Sequence, residues 1–293
     1  MKRFFLVFLC LATYYSSVCQ EITYKSAYKI YNSKGKEVGY SQLIEGAKEA
    51  DILLFGELHN NAIVHWLQLE VSLDLLQKSS KKLTLGAEMY STDQQIELDE
   101  YLAGIVDDKA FETNTKNWPN YKTDYKPLVN LAKDNQLKFI ACNAPRTLSL
   151  LAARNGIDSV NQLTNDSLKA LLTPLPLEID YKAPGYKELM ETDYGSSHQM
   201  DTKKMVDAQA LKDATMAFNI LENMENNTLF IHYNGDFHSK NYGGIYWYLN
   251  KMDKKKKVVT ISSVENADCI FPEDSKKQAD YIIVVPPNMT KTY

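Results

Sequence analysis

Two stretches that spell the same turn constrain this chain more than any other feature. Asp51-Ile-Leu-Leu-Phe-Gly-Glu-Leu-His-Asn60 and Leu229-Phe-Ile-His-Tyr-Asn-Gly-Asp-Phe-His238 each pass from an apolar run into Gly, an acid, an apolar residue and His. The first continues into a helical pattern from Asn60 to about Gln77, so it reads as a buried strand feeding directly into a helix. In an open α/β sheet, turns at the carboxyl ends of strands are where ligands bind, beside the free N–H groups of the next helix. Two such turns in distant parts of the chain can act together only if their strands lie close in one sheet. That closeness is the first expectation.

The segments around them alternate between strand and helix patterns. Lys82 to Glu88, Leu137 to Asn143, 228–233, 257–262 and Ala279 to Val285 read as further strands. Helices are expected at 60–77, at Thr92 to Leu102 with Thr92 as cap and Gln95 completing a capping box, at about Tyr125 to Asp134, from Pro145 to about Arg154, at 201–224 and at 239–250. Residues 21–50 read as an opening segment with a helix at Ser41 to Glu49. From Ser159 to Ser197 the alternation stops in a Pro- and Tyr-rich stretch suited to an inserted helical region or lid. About six core strands with helices on both faces follow, which predicts a three-layer α/β/α domain with a mainly parallel central sheet and a helical insertion at about 157–200.

The residues that can carry chemistry gather at the expected strand ends. His59 suits a general base or a metal ligand, with capping of the following helix as the structural alternative. His238 repeats that placement, so the pair could share a divalent metal. Glu57 and Glu88 are candidate acid/base or histidine-orienting carboxylates, and Arg146 at a helix start suits a carboxylate or phosphate. His65, six residues into the first helix, reads as a surface or boundary residue, and His232 as a satisfied core histidine. The sequence contains no GxSxG, P-loop, HExxH or GxGxxG pattern.

The formal net charge of −4 and short, scattered lysine runs exclude a nucleic-acid footprint. Met1-Lys-Arg followed by the apolar run Phe4 to Ala12 has the form of a signal peptide over residues 1–19, leaving Gln20 first and a single domain over 20–293. The expected location is the periplasm or cell envelope, with lipid attachment at Cys19 the less favoured variant because Val18 precedes it. Past residue 19 there is no apolar run long enough to span a membrane. Cys142 and Cys269, the two cysteines that would remain, allow either one disulfide or two buried thiols.

Gly56-Glu-Leu-His59, Gly86-Ala-Glu88-Met, Asn143-Ala-Pro-Arg146, Ala208-Gln-Ala-Leu-Lys-Asp213-Ala-Thr-Met216-Ala and Gly235-Asp-Phe-His238 occur in that order. Together they resemble the ChaN-like haem-binding uptake family, also called DUF399, within the wider superfamily of erythromycin esterase and Tiki proteins. The resemblance covers roughly residues 48–250. It implies an exported protein that binds haem for haem or iron uptake, in some members as a homodimer holding haems between subunits. Tyrosinate is an accepted ligand of ferric haem, so Tyr181, Tyr186, Tyr194 and His198 in the insertion are the candidate haem contacts. The wider superfamily implies an alternative: a hydrolase, esterase or metal-dependent protease, using His59, Glu88 and His238 with Glu57 and Arg146. An envelope module for another hydrophobic or anionic ligand is the third expectation.

Overall fold

The structure is a computed structural model that describes residues 25–191 and 201–293. The expected signal peptide, Cys19, Tyr194 and His198 lie outside the described residues. In chain order the elements are β1 (Lys29–Asn32), β2 (Glu37–Val38), α1 (Tyr40–Ala47), β3 (Ile52–Glu57), α2 (Ala62–Lys78), β4 (Lys82–Ser91), α3 (Gln95–Leu102), α4 (Asp108–Asn114), α5 (Lys126–Asp134) and β5 (Lys138–Asn143). They continue as α6 (Arg146–Asn155), α7 (Ile157–Asn161), α8 (Asp166–Lys169), α9 (Tyr186–Glu191), α10 (Thr202–Glu222), β6 (Thr228–Gly235), α11 (Gly244–Met252), β7 (Val258–Glu265) and β8 (Tyr281–Val285).

The strands form one sheet in the order β2-β1-β8-β7-β3-β6-β4-β5. The six expected strands are mutually parallel, and β1 and β2 add an antiparallel hairpin on the β8 edge. That hairpin comes from the opening segment, where Tyr24 to Tyr31 alternate only weakly. Side chains alternate across the strands. Leu53 and Phe55 of β3 and Ile231 and Tyr233 of β6 face the layer built by α1 to α5. Ile52 and Leu54, with Phe230 and Cys142, face α6, α10 and α11. Both faces are therefore covered, as an all-parallel core requires.

The insertion of β6 between β3 and β4 is what positions the site. Glu57 pairs in register with Gly235, and Ala87 with Tyr233, so the carboxyl ends of three strands converge. β4 also carries a register shift against β5 between Ala87 and Ser91. Such an irregularity re-aims side chains, here at the position of Glu88.

Three local expectations change. The capping box before α3 is Ser91 with Gln94, not Thr92 with Gln95. Thr92 instead bonds the carbonyl of Leu171, and the Gln95 amide plugs the open edge of β5 at Phe139 O and Ala141 N. The helix expected from residue 239 starts at Gly244, after a turn in which Asn241 and Tyr242 take positive φ. Cys142 and Cys269 are both free and buried, on separate clusters, which decides between the two cysteine alternatives.

Candidate functional site

The first pole is built by the β3–α2 turn. Asn61, not His59, caps α2, accepting from the N–H groups of Ile63 and Val64 at 3.1 and 3.2 Å. His59 is thus released from capping. Its Nδ1 donates to Glu57 Oε1 at 2.9 Å, and its ring packs on Trp118 with centroids 4.8 Å apart. The side chain keeps 36% exposure, while Glu57 is fully buried. Glu57 also accepts from the Tyr125 hydroxyl at 2.7 Å and the Gln68 amide at 2.7 Å. Burial pushes the His59 imidazole down, but the Glu57 and Glu88 carboxylates outweigh it and the net shift is upward.

The second pole centres on His238, buried in the short turn after β6. Its Nε2 donates to Glu88 Oε1 at 3.1 Å and its Nδ1 to Asp213 Oδ1 from the middle of α10. Gln209 also approaches Nδ1, at 2.9 Å, and Tyr186 donates its hydroxyl to the far oxygen of Asp213 at 2.7 Å. Burial works against the imidazolium, yet the two carboxylates raise its pKa to about 10, so His238 is a fixed cation at neutral pH. The same contacts overcome burial at Glu88 and hold it well below the ordinary carboxylate range.

Gly235 joins the poles. Its N–H donates to Glu88 Oε2 at 2.7 Å, and a Cβ added there would stand 2.6 Å from His59 Nε2 and 3.4 Å from Glu88 Oε2. Glycine is required because the imidazole edge lies against the β6 backbone. The Nε2 edge of His59 therefore lies against the Gly235 backbone, on the side that Glu88 approaches.

The other candidates are placed as follows. Arg146 is exposed at the first turn of α6 and makes no hydrogen bond or ion pair with another described residue. Tyr181, half-buried, donates to Asp207 at 2.6 Å, with Lys203 4.7 Å above its ring. Tyr186 is buried behind the second pole. Burial and the adjacent carboxylates raise both phenols above the ordinary tyrosine range. His65 is not a surface residue: it is 4% exposed and hydrogen-bonded beside Glu57. His232 is buried but only half satisfied. Nδ1 meets Asn234 at 3.1 Å, Nε2 has no partner among the described residues, and burial lowers its pKa to about 4. Asp236, the acid of the second turn, points away onto Ser262 and Gln278, and burial raises its pKa to about 6.

Sequence reasoning gave no role to Asp213, His65 or Gln68. A signal was present: Asp213 sits among Ala210, Ala214 and Ala217 on α10, and a His and a Gln lie three residues apart on the apolar side of α2. Buried polar groups in such settings need partners. Among the described residues no group of three or more His, Cys, Asp or Glu side chains is arranged to hold a metal ion. None of their helices is long and apolar enough to cross a membrane.

A solved structure of ChaN from Campylobacter jejuni, described as binding haem cofacially, superimposes with a TM-score of 0.66 at 19% identity, covering 88% of this chain and 96% of that one. A mutant erythromycin esterase in its open conformation aligns less closely, at 13% identity and a TM-score of 0.48, covering 89% of this chain and 83% of that one. RETICULATA-RELATED 5, a chloroplastic protein of Arabidopsis thaliana, is 28% identical over 112 residues, which is 37% of this chain and 15% of that protein. This chain thus spans a small part of that curated relative. A family model described as haem-binding uptake, Tiki superfamily, ChaN matches residues 43–249, a span that contains every residue of both poles. The chain belongs to the ChaN family of haem-binding uptake proteins in the Tiki superfamily.

Proposed function

We propose that the protein is exported to the cell envelope, binds haem and serves haem or iron uptake. The family match across residues 43–249 carries this reading. Support from the molecule itself comes from a concavity of about 580 Å³ whose apolar lining is Pro174, Pro176, Leu177, Phe218, Leu221 and Met252 and whose charged lining is Lys251, Glu178 and Glu222. Apolar walls, a ligand-sized volume and a cation suit a macrocycle that carries propionates. Bound haem would supply a ferric iron able to take an oxygen or nitrogen donor from the protein. The insertion that forms one wall of this concavity also carries the candidate donors Tyr181, Tyr186, Tyr194 and His198. Of the two described, half-buried Tyr181 is the more accessible, because Tyr186 is enclosed behind Asp213. Arg146, which pairs with no other described residue, is available to a carboxylate. A homodimer holding haem between subunits belongs to the same reading, and light scattering with and without haem tests it.

Hydrolysis is the second reading, and one observation favours it. His59 is held through Nδ1 by a buried carboxylate while Nε2 stays open, the arrangement of a general base with its orienting partner. His238 has both nitrogens engaged, so of the proposed metal-binding pair only His59 offers a lone pair.

Titrating the mature protein with ferric haem separates the readings. The first predicts a saturable Soret band of defined stoichiometry, weakened by changing one of the four insertion candidates. Featureless, non-saturating absorbance would refute it. Hydrolysis of an ester or peptide panel that disappears in His59→Ala would establish the second.

A further inference from the structure

Beyond β8 the chain turns back over the first pole. Pro286 and Pro287 have no N–H to give a further strand, and a tight turn, in which Met289 N donates to Pro286 O at 3.2 Å, redirects the backbone. Lys291 then pairs with Glu265 at the end of β7 and forms an isolated antiparallel bridge with Asn61. The Thr292 N–H donates to the carbonyl of Asn60 at 3.1 Å. These residues thus cross from the end of β7 to the turn that carries His59.

Side chains carry the contact on to His59 itself. Thr292 Oγ1 donates to Asp124 Oδ2 at 2.6 Å, and the same oxygen accepts from Asn120 Nδ2 at 2.5 Å. Asn120 Nδ2 also donates to the His59 carbonyl, at 2.7 Å. Asn120 and Asp124 are buried, and a single stretch of π-helix over Tyr121–Tyr125, a geometry frequent at functional sites, brings them together. Burial and the nearby Glu57 and Asp124 carboxylates raise the Tyr293 phenol above its ordinary value, which sets its ring near the same turn. The two supports differ in how firmly they are held. Tyr121 and Tyr125 are buried in the main core cluster, whereas Lys291 and Tyr293 are exposed. A segment with few buried apolar contacts opens at the least cost.

We propose that residues 289–293 form a strap that fixes the His59 turn, with Thr292 as a positioning residue that acts through Asp124 and Asn120 and with Lys291 as its anchor on Glu265. With the strap in place His59 keeps one position, Nδ1 on Glu57 and the Nε2 edge against the Gly235 backbone. When the strap lifts, the turn moves and the ring turns toward solvent. The consequence for catalysis rests on the reading of His59 as a general base, but the hold of the strap on the turn does not.

The test follows carbethoxylation of His59 by diethyl pyrocarbonate in the full chain, located by mass spectrometry. Because the Nε2 edge lies against Gly235, the rate reports movement of the turn. Thr292→Val should accelerate it about 2- to 12-fold, the population change that one net hydrogen bond corresponds to. Lys291→Glu, which sets like charges face to face with Glu265, should do the same, and Thr292→Ser, which keeps the hydroxyl, should react at the native rate. The buried His232 and His238 should be unaffected in all three. A native rate in Thr292→Val or Lys291→Glu, or an equal acceleration in Thr292→Ser, overturns the proposal. In the unaltered chain the Thr292 amide should exchange slowly with deuterium, and exchange at the rate of an unbonded amide would overturn it as well. Neither readout needs a substrate. Any hydrolysis that depends on His59 should show a lower kcat in Thr292→Val and recover in Thr292→Ser, whereas an absence of hydrolysis would remove the general-base reading and leave the strap standing.

Discussion

In the turn that ends β3, the acid of the motif, Glu57, bonds the histidine two residues on. In the turn that ends β6, the corresponding acid, Asp236, swings onto Ser262 and Gln278, and His238 takes its partners from β4 and α10. One spelling thus gives two environments. His59 is part-exposed, held at one nitrogen and open at the other. His238 is enclosed, held at both, and charged. The difference arises from what covers each turn. α10 lies over the second and brings Asp213 and Gln209, whereas the first meets Trp118 at a solvent margin. A local motif places a side chain at a strand end, and the elements packed above it decide whether that side chain is available to a ligand.

The largest expected effect separates the two histidines by stability. His238→Ala leaves Glu88 and Asp213 buried without their cation and should cost about 3–5 kcal/mol in urea unfolding. His59→Ala, at a part-exposed site, should cost less than about 1 kcal/mol. Equal losses would erase the contrast. Catalysis should show the reverse order of importance. If the hydrolytic reading holds, His59→Ala lowers the rate about 10²–10⁴-fold, the span of a lost general base.

The pH dependence sharpens the same comparison. The folded pKa of His238 is raised from 6.5 to about 10, so its contribution is fully present below 6.5 and is lost as pH rises through about 10. Unfolding free energy should therefore decline over that alkaline window in the native chain, and the decline should be absent in His238→Gln. Glu88, shifted downward, acts at the opposite end: its contribution is present above its ordinary value and is lost only in strong acid.

Smaller effects concern the regions around the poles. Leu221→Glu places a charge in the wall of the 580 Å³ concavity and should weaken haem binding at least about tenfold, the size of one unfavourable buried polar contact. His59→Ala should leave haem binding unchanged, which separates the two sites. Asp236→Asn, in a turn whose acid is already displaced from its histidine, should alter stability by less than about 1 kcal/mol. A large loss there would mean that Asp236 supports the second pole after all.

Much of this arrangement was legible in the sequence. Apolar runs closed by Gly and an acid marked β3, β4 and β6, and the paired turns required their strands to be close, as the adjacency of β3 and β6 shows. The strand order was not legible, because periodicity says which face a residue occupies and nothing about which strand lies beside it. The convergence of Glu88 with both turns depends on β6 entering between β3 and β4. The charge state of His238 was hidden for a related reason: its two carboxylates come from residues 88 and 213, far away along the chain. His65 read as peripheral because one polar residue on a helix is ordinarily solvated. Only its contacts with Gln68 and Asp124 show it as part of the interior.

The contrast between the turns is tested most directly by following the ring resonances of His59 and His238 through a pH titration of the folded, 15N-histidine-labelled chain. His238 should remain an imidazolium well above neutrality and lose its proton near pH 10, while His59 titrates separately with its raised pKa and a single Nδ1-protonated neutral form. Deprotonation of His238 near its ordinary value of 6.5, or indistinguishable behaviour of the two rings, would contradict the division of roles between them.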